Sequence, residues 1–182
     1  PCAVPAARPN FDENQWKNLG LAAAMDALIA AEKIPPFIVI LPRIPNISTY
    51  PSSYNARIFA NYLVPYVDSR YQTLPEKDYR AIGGLSRGGN WAVHLGFVSP
   101  EVFGIVGAHS TPLFYGELWN IQAAAGLPPE SIPLVLVDAG DKDAEKEKVQ
   151  EFVTALKDAG VPYQFFEFEG RHEPSYWSAH VA

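Results

Sequence analysis

The sequence predicts an α/β fold, a mostly parallel sheet with helices on both faces. Three observations carry that expectation. Short apolar runs alternate with amphipathic stretches along the whole chain, the pattern of strands joined by helical crossovers. Some of those runs are continuous rather than alternating, as in Phe37–Leu41, which suits a strand covered on both faces. No repeat, low-complexity tract or linker divides the 182 residues, 48% of them apolar, so a single domain over 1–182 is expected. Residues 1–10 read as an irregular N-terminal segment.

Taken in order, residues 18–33 are Ala-rich and read as a helix stopped by Pro35-Pro36. Phe37–Leu41 follows as a strand. Residues 42–54, broken by Pro42, Pro45 and Pro51, read as a loop. A helix fits 55–70, with Phe59, Tyr62, Leu63, Tyr66 and Val67 at one-face spacing and a kink at Pro65. Next come a strand at 79–84, a helix at 87–98, a strand at 103–108 and an aromatic-rich loop region from Thr111 to Leu127. The strand 133–137 leads into a helix at about 144–158, which carries Val149, Phe152, Val153 and Leu156 on one stripe and stops at Gly160. A strand at 162–168 and a short terminal helix end the chain. In such sheets ligands bind at the carboxyl ends of the strands, so chemistry is sought just after each one.

Composition narrows the function classes. A formal net charge of -6 argues against a nucleic-acid surface, which needs clustered Lys and Arg. Cys2 is the only cysteine, so neither an internal disulfide nor a thiolate metal cluster is expected. No run reaches the roughly 18 apolar residues of a membrane span, and no membrane partner is expected. There is no signal-peptide pattern, and a start at Pro1 reads as a processed or excised piece. The compartment stays open between extracellular and cytoplasmic.

Gly84-Leu85-Ser86-Arg87-Gly88-Gly89 matches the G-x-S-x-G nucleophile elbow between a predicted strand and a predicted helix. Small neighbours let the two elements approach, the Ser86 hydroxyl stands clear, and the helix N-terminus supplies N–H dipoles for a developing oxyanion. A serine nucleophile needs a base and an orienting acid, in the chain order Ser, Asp or Glu, His. Of the four histidines, His94 reads as a helix-face or core residue and His180 as a surface one. His109 precedes every plausible acid and reads as a pocket residue. His172 directly follows the last strand and is the expected base. Asp138 reads as part of the strand end, while Asp141 and Asp143 compete for the acid role. Asp143 is favoured because it lies farther out from Gly140.

The residues that carry this pattern resemble the esterase-D-like branch of the α/β-hydrolases, which includes feruloyl and enterochelin esterases, S-formylglutathione hydrolases and mycolyl transferases. The matching pieces are Asn14-Gln15-Trp16, Ile34-Pro35-Pro36-Phe37-Ile38-Val39, Leu63-Val64-Pro65-Tyr66-Val67, the elbow, Gly140-Asp141-Lys142-Asp143, and Gly170-Arg171-His172 with Trp177. The resemblance implies an α/β-hydrolase-type sheet and carboxylic-ester hydrolysis with no metal or organic cofactor. It departs at the N-terminus. Family members carry a central strand ending in His-Gly whose following loop donates a second oxyanion N–H, and residues 1–10 have three prolines and no His-Gly. The chain therefore reads as a member truncated at both ends, with N-terminal strands missing. The strands at 37–41 and 79–84 must then pair directly or leave a gap.

The Arg87 backbone N–H is the expected first oxyanion donor, and Asn10 or Arg8 the candidate second; Pro9 has no N–H to give. Loss of one donor typically costs about a hundred- to a thousandfold in turnover. Tyr50, Tyr54, Phe114, Tyr115 and Trp119, with His109, are the candidate walls of an acyl pocket, which would favour aryl or medium-chain esters. Two alternatives carry over: an acyltransferase of the same fold, and a weakly active or non-catalytic module. The expected partner is a small-molecule ester, and the residues leave a homodimer open.

Overall fold

The computed structural model describes residues 12–42, 57–113 and 116–181. They group into two compact units, one holding the described residues up to 42 with 173–181, the other holding 57–172. The first unit contains α1 (Asp12–Asn18), α2 (Leu21–Ala30) and the C-terminal helix α7 (Pro174–Ala179). Within it Leu19, Tyr176 and Trp177 are buried, and the Ser178 hydroxyl donates to the Leu19 carbonyl at 3.0 Å. The helix expected at 18–33 is thus shorter, and a preceding helix at 12–18 was not expected from the sequence.

The expected strand at 37–41 is not formed, a correction to the sequence reading. Residues 35–42 carry no strand, and Phe37 is 52% exposed, with Ile38, Val39 and Ile40 exposed as well. The physical reason is that a strand is a pairing. An apolar run provides burial potential but not a ladder partner, and the described sheet does not include this segment.

The second unit opens on a helix whose first turns are widened. Residues 59–63 form a π-helical turn, closed by Val64 N–H donating to the Phe59 carbonyl, and α3 (Val64–Arg70) continues from it. Pro65 explains the widening. It donates no hydrogen bond, and its ring crowds the carbonyl four residues back, so the preceding turn loosens. Where the sequence predicts a kink, the structure has this π turn.

The sheet follows: β1 (Ala81–Leu85), β2 (Ile105–His109), β3 (Leu134–Gly140) and β4 (Tyr163–Phe168), all parallel, in that spatial order. The intervening helices are α4 (Arg87–Val98), α5 (Glu117–Ala125) and α6 (Lys146–Asp158). Right-handed crossovers that advance in one direction put their helices on one face, and a single core confirms it. Val106, Ala108, Val135, Val137 and Ala139 of the strands pack with Ala92, Val93 and Phe97 of α4, Ile121 and Ala124 of α5, and Val149, Phe152 and Leu156 of α6. The α6 stripe is as the sequence predicts, with Val153 half-buried at its side. In place of part of the loop expected at 111–127 the structure has α5. Its Glu-Leu-Trp-Asn-Ile-Gln-Ala-Ala-Ala run is rich in helix formers, and burial of Ile121 and Ala124 anchors it.

Candidate active site

The site is built at the carboxyl ends of β1, β3 and β4. Ser86 links β1 to α4 at φ 50° and ψ −118°. A non-glycine residue at positive φ is uncommon, and holding one there costs about 1–3 kcal/mol, which the surroundings must over-determine. Here they do. Ser86 N–H donates to the His109 carbonyl at 2.8 Å, and its own carbonyl accepts from Asn90 N–H at 3.2 Å. The buried Asn90 side chain donates to the Pro112 carbonyl at 3.0 Å, and the Thr111 hydroxyl donates to the His109 carbonyl at 3.1 Å. The segment after β2 therefore braces the elbow. Of the glycines around the serine, a Cβ on Gly84 would overlap the Gly88 backbone and one on Gly89 would overlap Thr111, whereas one on Gly88 would meet nothing. The close approach is made at Gly84 and Gly89.

His172 reaches Ser86 from the loop after β4. Its Nε2 lies 2.9 Å from the Ser86 Oγ, and its Nδ1 lies 3.1 Å from each carboxylate oxygen of Asp143. The Asp143 side chain is fully buried and the His172 ring about three-quarters so. Asp143 Oδ1 also accepts the Glu145 N–H at 2.7 Å, which fixes the carboxylate at the entry to α6. The structure thus brings together Ser86, Asp143 and His172 across three strands, with hydrogen-bond geometry suited to proton transfer.

The competing acid, Asp141, lies two residues earlier and turns to the backbone. Its Oδ1 accepts the Gly170 N–H at 2.9 Å. That bond, reinforced by the charges of Lys142 and Lys146, holds its carboxyl below the ordinary value of 3.8. Asp138 belongs to β3 as expected, and its carboxylate pairs with His109 Nδ1 at 2.6 Å. His109 is the last residue of β2, in register with Leu85, the residue before Ser86. The sequence offered no signal for this second His–Asp pair, because the two residues meet only through strand register.

His94 is the buried core histidine expected, with Nδ1 2.9 Å from Glu117 Oε1 across the α4–α5 interface and Asn120 donating to Glu117 Oε2 at 3.0 Å. His180 is half-buried rather than surface, its Nδ1 2.8 Å from the Tyr176 carbonyl. Arg87 opens α4, so its N–H belongs to the helix's first turn, whose dipoles point past the N-terminus. Trp119 is 72% exposed on α5, and no described contact brings it to the three residues above. Arg8, Asn10, Tyr50, Tyr54, Phe114 and Tyr115 lie outside the described residues.

Comparison with known proteins bears on fold and family. Residues 12–182 match the family model described as "Putative esterase". The chain is 30% identical over 175 residues to an endo-1,4-beta-xylanase/feruloyl esterase of Xylanibacter ruminicola, covering 91% of this chain but 23% of that protein. It therefore spans about a quarter of that relative. A solved ferulic acid esterase superposes with a TM-score of 0.76 at 22% identity, covering 94% of this chain and 77% of the other. The enterobactin esterase of Shigella flexneri superposes at 0.73 and 17% identity, covering 93% and 49%. At these identities the superpositions speak for the fold.

Proposed function

Because the chain belongs to this esterase family, we propose that it is a serine esterase that cleaves carboxylic esters through an acyl-enzyme on Ser86. The reading rests above all on one observation: His172 lies 2.9 Å from the Ser86 Oγ on one side and 3.1 Å from the Asp143 carboxylate on the other. In the proposed cycle Nδ1–H donates to Asp143, which leaves Nε2 to accept the Ser86 proton. The Ser86 oxygen attacks the ester carbonyl carbon, and the resulting oxyanion is met by the Arg87 N–H at the start of α4. The imidazolium, stabilised by Asp143, returns its proton to the departing alcohol. Water then attacks the acyl-enzyme by the same route, releasing the acid and restoring Ser86. Residues 1–182 act in this reading as one domain.

The substrate class we propose is an aryl ester such as a feruloyl ester, or a short-to-medium acyl ester. The name of the Xylanibacter relative supports it. A fluorophosphonate probe provides the direct test, since it labels only an activated serine. Wild-type protein should be labelled and should hydrolyse p-nitrophenyl or feruloyl esters, while Ser86→Ala should lose both. Esterase activity that survives in Ser86→Ala would overturn the assignment. Product analysis with an added alcohol tells hydrolysis from acyl transfer.

A further inference from the structure

The loops that carry Asp143 and His172 are tied to each other before either residue is reached. Asp141 N–H donates to the Phe168 carbonyl at 2.8 Å, and Lys142 N–H donates to the Gly170 carbonyl at 2.9 Å. In return the Gly170 N–H donates to Asp141 Oδ1 at 2.9 Å. The first two bonds continue the β3–β4 ladder past its last paired residues, Gly140 and Phe168. The third is different, because a side chain closes a link that the ladder's backbone groups do not make. The approach is close enough that a Cβ on Gly140 would overlap the Gly170 carbonyl. Asp143 lies two residues beyond Asp141, and His172 two residues beyond Gly170, so the tie sits equally near the acid and the base.

We propose that Asp141 is a positioning residue, whose carboxylate clasps Gly170 and thereby sets His172 against Asp143 and Ser86. This rests on the catalytic reading of those three residues. The loop from Phe168 to His172 is short, and the hydrogen bonds that must align at its end span about 3 Å each. A small swing of Gly170 shifts both His172 bonds at once. The charge of Asp141 suits it to this role, since the Gly170 bond, together with the charges of Lys142 and Lys146, holds the carboxyl below its ordinary value of 3.8. The acceptor therefore persists wherever a neutral imidazole can act as base.

The test compares Asp141→Ala and Asp141→Asn with wild type. An asparagine oxygen can still accept the Gly170 N–H, whereas alanine offers no acceptor. Asp141→Ala should lower kcat by about tenfold with KM unchanged, short of the roughly hundredfold that a 1 Å misplacement can cost. Its rate of fluorophosphonate labelling should fall in parallel, and hydrogen exchange at the Gly170 amide should speed up. Asp141→Asn should restore most of all three. Asp141 is exposed, so folding should survive both changes, which a melting curve checks. The clasp is overturned if Asp141→Ala keeps full kcat, if its loss lies in KM, or if Asp141→Asn is as impaired as alanine. Failure of the underlying catalytic reading looks different, since Ser86→Ala would then keep the activity while the Gly170 exchange comparison still reports on the clasp.

Discussion

At the scale of single residues, the setting of Ser86 turns on which side chains are missing as much as on which are present. Ser86 holds a positive φ because Gly84 lets the start of α4 fold back over the end of β1. Gly84→Ala should therefore displace the elbow, costing about 1–3 kcal/mol of stability as overpacking does and most of the fluorophosphonate labelling. Gly88→Ala, whose Cβ would meet nothing, should keep both near wild type apart from any effect on substrate approach. Denaturation midpoints and labelling rates of the two variants check this contrast. The motif pattern names Gly84 and Gly88 alike, and so it could not tell them apart. Steric contact with Thr111, far along the chain, makes Gly89 the second critical glycine. Asp143 was legible as the favoured acid candidate from its place farther out after β3, with Asp141 as its rival. The role of Asp141 was not, since its partner is a backbone N–H that only the loop's fold brings near.

At the scale of elements, the crossover helices form the part of the fold most visible in sequence. The α6 stripe is an amphipathic pattern of long range, and local periodicity fixes which face turns inward. Phe152 is fully buried at its centre. Phe152→Ala should cost about 3–5 kcal/mol through lost burial and the cavity left behind. A urea titration measures the loss. Labelling of Ser86 should persist below the lowered transition, because α6 supports the site through β3 and β4 rather than touching the serine. Helix α5 was hidden in what reads as an aromatic loop. Its burial depends on Ile121 and Ala124 meeting α4 and the sheet, and its polar tie, Glu117 to His94, joins residues 23 positions apart. The strand expected at 37–41 failed for the converse reason. Its composition suits a strand, yet ladder bonds come from a neighbour that composition does not provide.

At the scale of the whole molecule, acid stability offers a check with a definite sign. Asp141 is held below 3.8, chiefly by the Gly170 N–H. A carboxyl lowered on folding adds stability that is fully present above its unfolded value and is lost as pH falls through the folded one. Wild type should therefore melt higher than Asp141→Asn near neutrality, and the gap should close as pH drops below the usual carboxylate range. A gap that stays constant into acid would contradict the assigned cause. The class of the fold, a mostly parallel sheet with helical crossovers, and the candidates Ser86, His172 and Asp143, the last with Asp141 as its rival, were legible in the sequence alone. Each of these is written in short-range pattern: a motif, a period, or a position just after an apolar run. The folded structure was needed to show which glycines bear the elbow's crowding, that His109 pairs with Asp138, that Asp141 bonds the Gly170 N–H, and that residues 35–42 form no strand. Those are contacts between segments distant in sequence. They depend on register and loop path, which no local pattern encodes.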